Sequence, residues 1–191
     1  MKTLTACLLL LATIAQAGAG WEDRRDAAEL AVEQKHYGEA YRIYSNAVAQ
    51  LQLPPPARRW AAFRLADCRW REQAAAGQSD PSKLNEAREA LVRMIRDVKR
   101  AEDKDRVWAE VHESLGDSMW RRGEQNWGGA WANYQQALDW WAGQSDLDTA
   151  RARYLALVRK AAAPGWADVW YRYGQLGNQQ PFAVVENALQ I

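Results

Sequence analysis

The sequence predicts an all-α protein of stacked helices, and three observations predict it. The stretch His36–Leu51 (HYGEAYRIYSNAVAQL) returns, much altered, as Asn126–Trp141 (NWGGAWANYQQALDWW). Gly38 falls on Gly128, Ala40 on Ala130, Tyr41 on Trp131, Tyr44 on Tyr134 and Ala47 on Ala137. A shorter echo sets Leu65–Arg71 (LADCRWR) against Leu115–Arg121 (LGDSMWR). No segment alternates apolar and polar residues as a strand does, and no Asn-Gly or Asp-Gly hairpin turn occurs. A small residue, an aromatic a turn later and another small residue after that form one face of a helix. A helix that repeats along a chain is built to stack on its own kind.

Met1–Gly20 is expected to be a secretory signal peptide and no part of the fold. Lys2 precedes an apolar run from Leu4 to Ile14, and Ala15-Gln16-Ala17 supplies small residues at a cleavage position after Ala17 or nearby. The run is too short for a permanent membrane span. The expectation is therefore a periplasmic or secreted protein with no stable membrane insertion after cleavage. Without Lys2 the net charge of +1 falls to zero. That balance argues against nucleic acid as a ligand, because phosphate binding needs an excess of cationic side chains on one face. Cys7 leaves with the leader, so Cys68 has no intrachain partner and reads as a small buried helix residue.

The helical domain is expected over residues 21–191. Trp21–Gln34 forms the first helix, with Trp21, Ala27, Ala28, Leu30 and Ala31 as its apolar stripe. Tyr37–Gln52 forms the second, and Pro54-Pro55-Pro56 ends it. Ala57–Ala76 is the third. Asp80 or Ser79 caps a fourth that has Pro81 in its first turn and an apolar face running from Leu84 towards Arg100. Arg106–Glu124 is the fifth, Gly128–Ala142 the sixth, and Leu147–Ala162 the seventh, capped by Asp146 or Ser145. Trp166–Leu176 and Pro181–Ile191 carry the pattern of two more. The last has no partner for its apolar side, so the chain is expected to be truncated at its C-terminal end or to be the first module of something longer. Eleven tryptophans against two phenylalanines hand the aromatic packing to indole rings.

The second-helix pattern resembles a tetratricopeptide repeat (TPR). Gly38, Ala40, Tyr44, Ala47 and Pro54 fit that family's second helix, as do Gly128, Ala130, Tyr134 and Ala137. Leu65-Ala66 and Leu115-Gly116 fit its first helix, while Ala87, Leu91 and Met94 form a weaker middle unit. The resemblance implies a right-handed α-solenoid of about four antiparallel helix pairs. The steps from Ala40 to Ala87 and on to Ala130 exceed the roughly 34 residues of a standard unit, so the groove would be altered. A fainter likeness, at Arg64–Cys68 and Val185–Leu189, is to the exported N-terminal helical region of bacterial α2-macroglobulin-like proteins.

No catalytic, cofactor or metal constellation stands out. There is no phosphate loop, no nucleophile elbow and no His or Cys cluster; His112-Glu113 lacks the second histidine of a zinc-protease helix. The expectation is a non-enzyme with no cofactor. The doubled Asp-x-x-Trp-Arg is the informative motif: Asp67 and Arg71, and Asp117 and Arg121, are four apart and can pair along a helix. The family resemblance maps groove-facing positions onto Trp60, Phe63, Asp67 and Trp70 in one unit and Glu110, Glu113, Asp117 and Trp120 in the next. With Arg71 and Arg121 these form the expected partner-binding set, suited to an extended peptide or a helix. The competing reading is that the tryptophans pack between units and the ion pairs are surface. The function expected is an exported scaffold for protein–protein interaction in the bacterial cell envelope. Its alternatives are the N-terminal module of a larger exported protein, and a tryptophan-rich glycan or peptidoglycan binder.

Overall fold

The computed structural model describes residues 20–76, 80–120 and 126–161, and all regular structure among them is helical. Residues 1–19 of the expected leader and the two C-terminal helices lie outside the described residues, while Gly20, expected to belong to the leader, is already in the first helix. The chain divides into two compact units, Met1–Asp97 and Val98–Ile191.

In the first unit α1 covers residues 20–33 and α2 runs Tyr37–Gln50. The turn between them closes α1 with the paired bonds His36 N–H to Ala31 O and Lys35 N–H to Val32 O. Lys35 takes the left-handed position at φ 62°, a place that favours glycine. Trp21, Ala28 and Ala31 are buried, but Leu30 is 53 % exposed and Ala27 is exposed too. The α1 stripe is thus narrower than the five residues expected: Leu30 stands roughly 100° round the helix from Ala31 and points away from the neighbours. On α2, Ala40, Tyr44 and Ala47 are fully buried, so the repeated small–aromatic–small face is a packing face.

Proline does more than end α2. Pro54, in extended conformation, is the N-cap of α3 (Pro55–Ala75), and Pro55 and Pro56 open that helix. Proline at the first helical position loses no hydrogen bond, since that N–H has no partner inside a helix anyway. Asp80 caps α4 (Pro81–Ile95) by accepting from the N–H groups of Ser82 (3.0 Å) and Lys83 (3.4 Å). Leu84, Ala87 and Leu91 are the buried face of α4. The helix stops at Ile95, five residues before the expected end. Past it Arg100 forks onto Asp103 at 2.9 Å through both Nε and Nη2 and folds a short 3₁₀ turn at Ala101–Asp103. The core of this unit joins Trp21, Ala28, Tyr44, Ala47, Leu53, Ala57 and Ala61. Ala31, Ala40 and Cys68 form a second cluster.

In the second unit Asp105 caps α5 (Arg106–Met119) by accepting from Trp108 N–H at 2.7 Å. This helix ends earlier than Glu124; Trp120 closes it with a bond to Gly116 O. Asn126 caps α6 (Trp127–Ala142), accepting from Gly129 N–H at 3.1 Å, and Asp146 caps α7 (Leu147–Ala161), accepting from Thr149 N–H at 3.2 Å. On α6, Ala130, Trp131, Tyr134, Ala137, Leu138 and Trp141 are buried. Gly116 explains how closely α5 and α6 approach: a Cβ there would lie 2.5 Å from the Tyr134 ring. Helices α2 and α3 run antiparallel, as Tyr37, Tyr41 and Tyr44 facing Arg71, Arg69 and Trp60 show, and so do α5 and α6, where Glu113 meets Trp141 and Asp117 meets Tyr134. No helix among the described residues is long and apolar enough to cross a membrane.

Candidate partner-binding site

The structure separates the expected partner-binding residues by depth. Phe63, Asp67, Trp70, Glu110 and Glu113 are buried, with Asp67 only 1 % and Glu110 2 % exposed. Trp60, Arg71, Asp117 and Trp120 are half-buried and keep surface that another molecule can reach. Arg121 lies outside the described residues. The buried five pack within their own unit.

In the first unit the cluster is centred on Glu29 of α1. Arg64 of α3 reaches back to it with two hydrogen bonds, Nε to Oε1 at 2.8 Å and Nη2 to Oε2 at 2.5 Å. The indole N–H of Trp60 donates to the same Oε1 at 3.1 Å, and the Tyr44 hydroxyl also donates to it. Burial, then the Glu29 charge, push the Tyr44 phenol well above the usual tyrosine range, so it remains a neutral donor. Arg64 lies over the rings of Trp60 (4.8 Å) and Phe63 (5.0 Å) and touches Asp67 at 3.4 Å. Asp67 takes its stronger bond from Arg71, Nε to Oδ1 at 2.8 Å, and Arg71 stacks over Trp70 at 4.5 Å. An isolated buried carboxylate is costly in free energy; Asp67 avoids that by facing two guanidinium groups.

The second unit repeats the device with other residues. Arg153 of α7 reaches back to α5, where its Nη2 lies 3.0 Å from Glu110 and 3.6 Å from Glu113. Arg106 donates to the other oxygen of Glu110 at 2.8 Å. The Trp141 indole donates to Glu113 at 2.8 Å, and Arg153 lies over that ring at 5.5 Å. Asp117, the counterpart of Asp67 in the sequence echo, accepts from the Tyr134 hydroxyl at 2.6 Å. In each unit, then, the third helix of a trio returns an arginine to carboxylates on the first, across an aromatic residue of the helix between.

The motif reading missed Glu29, Arg64 and Arg153. Nothing near Glu29 marks it, since its partner is a whole hairpin away. Tyr44 and Tyr134 were visible as the aromatic of the repeat, though not as hydroxyl donors. All tryptophans whose surroundings are described are buried or half-buried, whereas a glycan platform needs exposed indoles. Among the described residues no three His, Cys, Asp or Glu side chains are grouped as metal ligands. Neither a known protein family, nor a curated protein, nor a solved structure matches this chain.

Proposed function

We propose that this chain is an exported, non-enzymatic scaffold: a right-handed α-solenoid of tetratricopeptide-like helix pairs that holds a peptide or helix of a protein partner in the cell envelope. The observation that carries this reading is the arginine return, from α3 to α1 and from α7 to α5. A construction reused from one helix trio to the next is how stacked-repeat proteins extend a surface. Each unit by itself offers half-buried side chains to a partner: Trp60 and Arg71 in the first, and Asp117 and Trp120 in the second. Half-exposed aromatic side chains beside a guanidinium or carboxylate suit anchoring a polypeptide, with the rings giving affinity and the charges orientation.

The test is affinity capture from an envelope fraction with the mature protein, then binding of the identified partner to purified wild type and to a Trp60→Ala, Trp120→Ala double variant. Loss of binding at unchanged far-UV circular dichroism is the expected result. Undiminished binding by the folded double variant removes the site assignment. A partner that proves to be polysaccharide removes the protein-scaffold reading itself.

A further inference from the structure

The α5–α6 hairpin holds the one buried-side histidine of the fold in an unusual electrostatic setting. His112 sits half-buried on α5, edge-on to Trp108, with ring centroids 4.4 Å apart. On the α6 side it meets Asn133. That amide gives a hydrogen from Nδ2 to the Gly129 carbonyl at 2.9 Å, so its oxygen faces the imidazole and Nδ1–H of His112 donates to it, also at 2.9 Å. Asn133 is an uncharged acceptor, and an amide does not favour an imidazolium as a carboxylate would. The charged group that acts on His112 is the Lys104 ammonium, which rests 4.3 Å from the centre of the Trp108 ring. Lys104 is itself fixed from α6, since its carbonyl accepts from the Trp140 indole at 3.3 Å.

We propose that His112 makes this hairpin acid-sensitive: a proton arriving at Nε2 puts a second cation into a half-buried site that already holds Lys104 and Trp108. Burial first, and Lys104 after it, hold the imidazole below the usual histidine range, against a smaller opposite pull from Asn133. The sign follows from linkage. An unfolded histidine titrates near about 6.5, and the folded group titrates lower, so the stability present above that pH is lost as pH falls towards the folded value. The hairpin therefore loosens in mild acid. The inference stands independently of partner binding and of where the chain resides.

The experiment is proton NMR of the full chain from pH 8 to 5. The chain has two histidines, His36 and His112, and a His112→Gln variant assigns the signals. The expected result has the His112 midpoint below about 6.5 and amide exchange in α5 and α6, corrected for intrinsic rate, rising several-fold across it. The Gln variant, neutral throughout, shows no such rise. A His112 midpoint at or above the ordinary value overturns the proposal, and so does exchange that stays flat through it. Should the Gln variant not fold, Lys104→Gln decides: the His112 midpoint moves up if the lysine acts as described and stays put if it does not.

Discussion

At the scale of single residues, Gly116 and Gly128 of the α5–α6 hairpin separate space from conformation. Gly116 lies where a Cβ would press on the Tyr134 ring at 2.5 Å, and that ring is rigid and 3 % exposed. Gly116→Ala should therefore destabilise the protein by about 1–3 kcal/mol through overpacking, read as a lower thermal midpoint. Gly128 has nothing within 4 Å of its would-be Cβ, so Gly128→Ala should leave that midpoint unchanged or raise it slightly. Cys68 gives a chemical test. Burial first, then the neighbouring Asp67 charge, push its thiol up to about 12. In the native protein at pH 8 it should resist alkylation and react only as denaturant exposes it. The same shift means that stability holds below the ordinary thiol value and falls as pH climbs from there towards about 12. Rapid native labelling at pH 8 would contradict its burial. Both residues were partly legible beforehand. Cys68 was read as a buried thiol by elimination, and Gly116 stood in the echo beside Ala66, but only packing shows which ring demands the glycine.

At the scale of elements, the helix faces were legible because they are local. Ala40, Tyr44 and Ala47 repeat at three and four residues, and all three are buried. Where local cues compete, pattern and structure part: Leu30 belongs to the apolar composition of α1 but lies outside its buried arc, and α4 ends before its apolar pattern does. The ties between non-consecutive helices were not legible at all. An ion pair such as Arg64–Glu29 leaves no periodic trace, because its partners belong to different helices with a third between. Its energetic weight can be measured. Arg64 is 12 % and Glu29 25 % exposed at the side chain, between the surface and buried extremes. Glu29→Gln should then cost about 2 kcal/mol, more than the ~0.5 kcal/mol of a solvated pair and less than the 3–5 kcal/mol of breaking a fully buried one. Glu89→Gln, which breaks the exposed pair with Arg93, should cost close to nothing. Equal effects from the two in urea unfolding would show that the return of Arg64 to α1 contributes no more than a surface contact.

At the scale of the molecule, the first unit contains what a folded domain needs. Its helices α1 to α3 share one apolar cluster, Asp80 caps α4, and the Glu29–Arg64 tie closes α1 onto α3 within the unit. The polypeptide 20–97 is therefore expected to fold alone, with strong helical dichroism and a cooperative thermal transition. Its tryptophans make this visible. Trp21 and Trp70 are buried, so native emission should lie to the blue and move red at the same midpoint as the loss of helix. A domain this short draws only about 3–5 kcal/mol from its core, so it has little to spare. Glu29→Gln, a modest loss in the full chain, should leave the isolated unit largely unfolded at 37 °C. A wild-type fragment with coil-like dichroism at any temperature would mean that the unit needs the rest of the chain, and a Glu29→Gln fragment as stable as its parent would mean that the apolar cluster alone holds α1 in place.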